Sequence, residues 1–209
     1  LSGEAFDDTK VEAARIAEQR QLTMVHPYDD VDVIAGQGTI GLEMLAARPD
    51  LDCLCIAIGG GGLISGIAVA ARAIKPGIEI VGVQTEHFPS MYALFKGVEM
   101  PSANATLAEG IAVKAPGLIT REIVKRLVDD IVLVSEGDIE HAILLLLEIE
   151  KTVVEGAGAA GLACLQRYRQ RFEGGNVGLV LCGGNIDPLM LSDIIERGIT
   201  LTGGGALLR

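Results

Sequence analysis

The sequence has no tryptophan, and aromatic residues make up only 3% of its 209 positions. Its core must be filled by Ala, Val, Ile and Leu, and hydrophobic residues at 49% are ample for that. General disorder is excluded on the same ground. Basic residues are scarce, 17 Lys and Arg against 28 Asp and Glu, for a net charge of −11. Neutralising a phosphate backbone needs clustered Lys and Arg, so no nucleic-acid partner is expected. Long apolar stretches are missing as well. The run Ala142–Leu147 ends at charged residues and is far too short to span a bilayer, so no membrane span is expected. The chain begins at Leu1, without Met and without a basic, apolar or small-residue signal pattern, which suggests a processed or truncated product. Four cysteines (Cys53, Cys55, Cys164 and Cys182) sit in apolar surroundings, with no second pair at zinc spacing. They read as reduced, buried thiols of a cytoplasmic protein.

What the chain has in excess is glycine, 27 residues, distributed between segments of alternating period. Apolar spacing predicts helices over Phe6–Gln19, Thr39–Ala47, Leu63–Ile74, Leu118–Leu127, Asp138–Val153, Ala157–Arg171 and Pro188–Arg197. Strands are predicted at Leu22–Val25, Cys53–Ile58, Ile78–Val83, Ile131–Val134 and Val177–Leu181. Strands that are apolar on both faces and alternate with helices imply an α/β fold, with a mostly parallel sheet covered on both sides. Pro101–Pro116 has no clear period, and a long irregular stretch in a compact domain is often functional. Leu201–Arg209 reads as a flexible tail.

The strongest local signal is Ile58-Gly59-Gly60-Gly61-Gly62-Leu63, a strand feeding four glycines and then a helix. Such a turn presents backbone N–H groups at the positive end of the helix, an anion cradle whose usual occupant is phosphate. It lacks the Lys-Ser/Thr of a nucleotide-triphosphate loop, and the next strand ends at Gln84 rather than at an acidic residue. A tight turn needs one or two glycines; four in a row favour a phosphate monoester. Val180-Leu181-Cys182-Gly183-Gly184-Asn185 is a second strand end followed by glycines. Its thiol either packs as a small hydrophobe or meets a flat heterocycle lying over the sheet. Gly36-Gln37-Gly38-Thr39 either begins a helix with Thr39 near the cap or contacts a ligand.

Taken in order, these motifs resemble the fold-type II pyridoxal-phosphate enzymes, in the threonine dehydratase and serine racemase branch. His26-Pro-Tyr-Asp-Asp30, Val33–Ile40, Gly59–Leu63, Ala108–Lys114, Val154–Gly158 and Cys182–Asn185 carry the resemblance, which extends over essentially the whole chain. The stretch 112–117 and Ile195-Glu-Arg-Gly198 look more like threonine dehydratase than the racemase. The resemblance implies pyridoxal 5'-phosphate as cofactor, with Gly59, Gly60, Gly61, Gly62 and Leu63 on its phosphate. It places Cys182 opposite the pyridine nitrogen, with Glu155 and the backbone at Gly110 near the ring. A neutral thiol cannot hold a pyridinium as an aspartate would, so the ring is a weaker electron sink and β-elimination is favoured over transamination. The implied reaction is elimination from threonine, and from serine, to a 2-oxo acid and ammonia. A serine racemase or a non-catalytic phosphate-ligand domain are the alternatives. A small amino-acid substrate and a homo-oligomer are implied as partners.

The sequence also departs from the family pattern. The Schiff-base lysine lies in a Ser-Phe-Lys-x-Arg-Gly segment that is not present here, and the Gly-Asn-His segment is absent too. No catalytic residue is therefore assigned. Residues 1–28 look like a remnant of the small domain, 29–200 like the large cofactor-binding domain, and 201–209 like a tail. Gln84 and Ser90 occupy the places of the family's divalent-cation ligands, with Glu86 and His87 off register, so no metal is expected and the latter pair reads as decorating an exposed loop.

Overall fold

The computed structural model of the chain describes residues 6–101 and 105–201. The elements run α1 (Phe6–Arg20), α2 (Val31–Ala47), β1 (Cys53–Ala57), α3 (Gly62–Ile74), β2 (Glu79–Thr85) and α4 (Ser90–Lys96). They continue with α5 (Leu118–Leu127), β3 (Asp130–Val134), α6 (Glu136–Glu148), α7 (Gly156–Arg167), α8 (Arg169–Phe172), β4 (Val177–Leu179) and α9 (Pro188–Leu201). The strands form one sheet in the order β3-β2-β1-β4, and every pairing is parallel. The predicted α/β class is what the chain adopts.

Strand periodicity divides the core. Cys53, Cys55 and Ala57 of β1 turn to one face with Val81 and Val83 of β2, against Ile139 and Ile143 of α6 and Ala160 of α7. Leu54, Ile56 and Ile58 turn to the other face and pack against Ile64 and Ile67 of α3 and Val124 of α5. Successive strand residues point to opposite faces, so a continuous apolar run is what a sheet covered on both sides requires.

The helix expected from Thr39 begins eight residues earlier. Asp30 caps it, its Oδ1 accepting the N–H groups of Asp32 (2.9 Å) and Val33 (3.1 Å). Gly38 does not precede the helix, and Gly41 is within it as expected. They lie inside α2 because α3 crosses it backbone against backbone: a Cβ at Gly38 would sit 3.0 Å from Gly66 O, and one at Gly41 3.0 Å from Ile67 O. Thr39 is far from the cap and donates to Gly36 O at 2.9 Å.

Other boundaries moved for identifiable reasons. Leu22–Val25 is not a strand; it pairs with no described strand, and Leu22 and Val25 are 57% and 63% exposed. Ser135 and Asp138 form a reciprocal capping box that starts α6 at Glu136. Lys151, in the left-handed region at φ 55°, marks the segment after α6 as non-helical, short of the expected Val153. The helix expected over Ala157–Arg171 is interrupted at Tyr168, whose hydroxyl donates to Leu133 O of β3 at 2.9 Å. β4 ends at Leu179, two residues short of the expected end, and α4 has no counterpart in the sequence reading. Of the tail expected over 201–209, Leu201 instead closes α9, and 202–209 lie outside the described residues.

Candidate functional site

β1 is buried along its whole length and delivers the chain into Gly59–Gly62 at the carboxyl edge of the sheet. Gly61 is the N-cap of α3 and is held at φ 99°, where a side chain would be strained. It brings no side chain to cap the helix. The first-turn N–H groups of α3 have no intrahelical acceptor, and the helix dipole favours negative charge there. The loop is held from outside. Gly60 O accepts the Thr120 hydroxyl at 2.7 Å and the Gly117 N–H at 3.3 Å. The Tyr28 ring lies against Gly60 so closely that a Cβ there would overlap it.

Tyr28 is placed by its own motif. His26 Nδ1 accepts the N–H groups of Tyr28 (3.3 Å) and Asp29 (2.8 Å), and the two rings meet edge-on at 4.6 Å. Asp29 then caps α5 across about 90 positions of sequence: its carboxylate accepts the N–H groups of Leu118 (2.7 Å), Ile119 (2.8 Å) and Thr120 (3.2 Å). Burial by itself would raise the Asp29 pKa, but those three N–H groups outweigh it and hold the carboxyl below its ordinary range.

A second approach to the same edge comes from 105–113. Glu136 accepts the hydroxyls of Thr85 (2.9 Å) and Thr106 (2.7 Å) and the Leu107 N–H (2.8 Å), anchoring the segment before the 3₁₀ turn Glu109–Ile111. Part of the stretch expected to be irregular thus carries Gly110 into the site. From the far side of β1 come Glu155, the N-cap of α7, and Cys182, three residues beyond β4.

All of these converge on one cavity of about 590 Å³, whose walls include Gly59–Gly62, Leu63, Gly110, Glu155 and Cys182. Every residue assigned to a site by sequence therefore lines a common space. Tyr28 and Gln37 line it as well. No lysine is among the described residues of its wall. The donor set fits a phosphate ester at the cradle, and the glycine at position 110 lets Glu155 approach: a Cβ there would sit 2.8 Å from Glu155 Oε1. Cys182 is the exception among the thiols. Cys53, Cys55 and Cys164 are buried in the core, whereas Cys182 is half-buried at the cavity wall, so the single reading of all four as buried thiols is corrected. Burial pushes the Cys182 thiol up, and the Glu155 charge adds to it.

The residues considered for a cation are engaged in other ways. Gln84 is fully buried, its amide donating to Ile58 O (3.1 Å) and accepting the Tyr92 N–H (2.8 Å). Ser90 donates to Val113 O at 2.7 Å. His87 and Glu86 do not simply decorate a loop: His87 Nδ1 lies 2.6 Å from Ala105 O, and Glu86 pairs with Arg167 at 2.9 Å.

Sequence reasoning missed the roles of Tyr28, Asp29 and Thr120 at this site. The signal was the compact His26–Asp30 motif, but its side-chain hydrogen bonds reach residues 87 or more positions away and the Tyr28 ring packs on Gly60, so neither contact is local.

Fold and site together define a class: a parallel α/β domain that sets a glycine turn at a helix N-terminus and a half-buried thiol around one cleft beyond the carboxyl ends of its strands. The family model of the pyridoxal-phosphate dependent enzymes matches residues 1–183, and the chain belongs to that family. It is 47% identical over 205 residues to the L-threonine ammonia-lyase of Thermotoga maritima, covering 97% of this chain and 51% of that protein. Among solved structures, the processed form of threonine deaminase isoform 2 from Solanum lycopersicum superposes with a TM-score of 0.87 at 32% identity, covering 94% of this chain and 55% of that one. Maize serine racemase superposes at 0.84 with 30% identity, covering 94% and 63%. The chain spans about half the length of the curated relatives it matches. The family and branch inferred from the motifs are borne out.

Proposed function

We propose that this chain forms the cofactor-holding part of a pyridoxal-phosphate lyase that converts threonine, and also serine, to a 2-oxo acid and ammonia. The observation that carries the reading is the single cavity gathering the Gly59–Gly62 cradle, Gly110, Glu155 and Cys182. The 47% identity to an L-threonine ammonia-lyase supports the substrate. On this reading residues 29–200 are the cofactor-binding domain and residues 1–28 the closing part of a smaller one, in a cytoplasmic homo-oligomer.

The chemistry pyridoxal phosphate supplies when bound is an aldehyde that joins an amine and a ring that takes up the electron pair left at the substrate α-carbon. The N–H groups from Gly59 to Leu63 bind its phosphate, with the α3 dipole adding to the attraction. Cys182 would meet the ring nitrogen as a neutral group, with no charge to hold a proton on it. A neutral partner at that place would suit loss of the β-hydroxyl better than transamination. Tyr28 forms the wall beside the cradle. With no lysine in the described wall, these residues provide binding and orientation but no amine for covalent attachment.

The test is a spectral titration of the 209-residue chain with pyridoxal phosphate, followed by an assay with threonine. Weak, saturable binding that an excess of inorganic phosphate displaces is expected, with no single lysine fixed by borohydride and no 2-oxobutanoate formed. Supplying a Ser-Phe-Lys-x-Arg-Gly segment of the kind the family resemblance implies should restore turnover. Stoichiometric attachment with steady turnover by the chain alone would overturn the division of labour. D-serine as the main product from L-serine in the completed enzyme would favour the racemase.

A further inference from the structure

Glu155 stands at an unusual junction. It is the N-cap of α7, yet its side chain makes no capping bond to its own helix. The carboxylate instead crosses to the loop after β4, where Oε2 accepts the Asn185 N–H at 3.2 Å. Its backbone N–H donates to Gly183 O at 3.2 Å, so the residue grips that loop on both sides of Gly184. Two glycines make room for it. A Cβ at Gly183, which lies at φ 89°, would overlap the carboxylate, and one at Gly110 would approach Oε1 to 2.8 Å. The first turn of α7 completes the contact. A Cβ at Gly158 would sit 2.5 Å from Cys182 O, and the Cys182 thiol lies 4.0 Å from Ala157 O.

We propose that Glu155 is the positioning residue for Cys182: it clamps the 182–185 loop onto the start of α7 so that the thiol faces the cofactor cavity. The assignment rests on the function proposed above, in which Cys182 meets the ring nitrogen, and says how that partner is held. Two properties of one carboxylate are used. Its oxygen fixes the loop through Asn185, and its negative charge opposes a second negative charge on the sulfur. The titratable groups on the cavity wall are Tyr28, Glu109, Glu155 and Cys182, so Glu109 is the other carboxylate that could exert such a charge.

The two properties separate by substitution. Glu155→Gln keeps an oxygen for the Asn185 N–H and removes the charge; Glu155→Ala removes both. Cys182 is alkylated with iodoacetamide across pH 6–10 in the full chain without cofactor, and the modified residue is read by mass spectrometry. The three buried thiols serve as internal references. For Glu155→Gln the Cys182 profile should move to lower pH, with alkylation at pH 8 faster by about threefold. Glu155→Ala should expose Cys182 further and weaken cofactor binding by about fivefold. A Gln profile that superimposes on that of the parent chain overturns the proposal, as does an equal shift from Glu109→Gln. A change confined to fold stability would not move the profile, and the Gln variant alone decides if the Ala variant does not fold. Because the profile is taken without cofactor, failure of the parent chain to bind pyridoxal phosphate would sink the proposed function while leaving the Glu155–Cys182 result readable.

Discussion

The two loops that meet at the cavity are built in opposite ways. Residues 60–62 of the cradle are buried, and the loop is set by a fully buried strand, by the Thr120 hydroxyl and by the Tyr28 ring. Residues 183–185 on the other side are exposed, and this loop leans on one carboxylate, that of Glu155. The comparison teaches that an anion site made of backbone must be rigid before the ligand arrives, since backbone N–H groups cannot be re-aimed one at a time. A single thiol partner can instead be placed by a hydrogen bond from outside.

The sharpest break of the rigid side lies away from the cavity. A Cβ at Gly66 would overlap Ile34 O and sit 2.6 Å from Gly38 N, so α2 and α3 must separate to admit it. Gly66→Ala should cost about 3 kcal/mol, read as a lower urea midpoint. Next is Gly61→Asp. A Cβ there would lie 2.9 Å from Met91 Cε and Thr120 Oγ1, and the new charge would face the phosphate. Pyridoxal phosphate affinity should fall by about a hundredfold, more than with Gly61→Ala, which adds bulk without charge; equal losses would assign the effect to sterics alone.

Asp29 connects the cradle to α5, and its removal tests how far that rigidity depends on a remote cap. Asp29→Asn should destabilise the chain by about 1 kcal/mol at pH 7. The folded-state pKa lies below the ordinary value of 3.8, so this stabilisation is present above that value and lost as pH falls through the folded pKa. The gap between parent and variant in thermal melts should therefore close on acidification below about pH 4. The smallest effect is expected on the exposed side. Cys182→Ala should weaken cofactor binding by about 1 kcal/mol, one hydrogen bond, with an unchanged melting temperature. A loss as large as that of Gly61→Asp would mean that the two loops share the binding more evenly than their construction suggests.

Much of this was legible along the chain. Cys53–Ile58 announced a buried strand by composition, and the four glycines after it announced a tight turn into a helix, because both signals are local and need no partner to be read. Glu155, Gly110 and Cys182 were reached through motif resemblance. The start of α2 was misjudged because glycine normally argues against a helix interior. Gly38 and Gly41 are there for a neighbour, α3, which the local pattern does not reveal. Leu22–Val25 has the composition of a strand, but strands are made by pairing, and none of the described strands pairs with it.

By itself the sequence determined the alternation of helices and strands, the two-sided burial of the sheet and the position of the glycine turn that starts α3, since these follow from period, apolar content and glycine placement over short spans. Only the tertiary structure decided that Asp29 caps a helix about 90 residues away, that Tyr28 rests on Gly60, and that Glu155 holds the loop carrying Cys182. Those are contacts between side chains and distant backbone. Their partners become neighbours only when β1, α3, α5 and α7 pack around the same edge of one sheet.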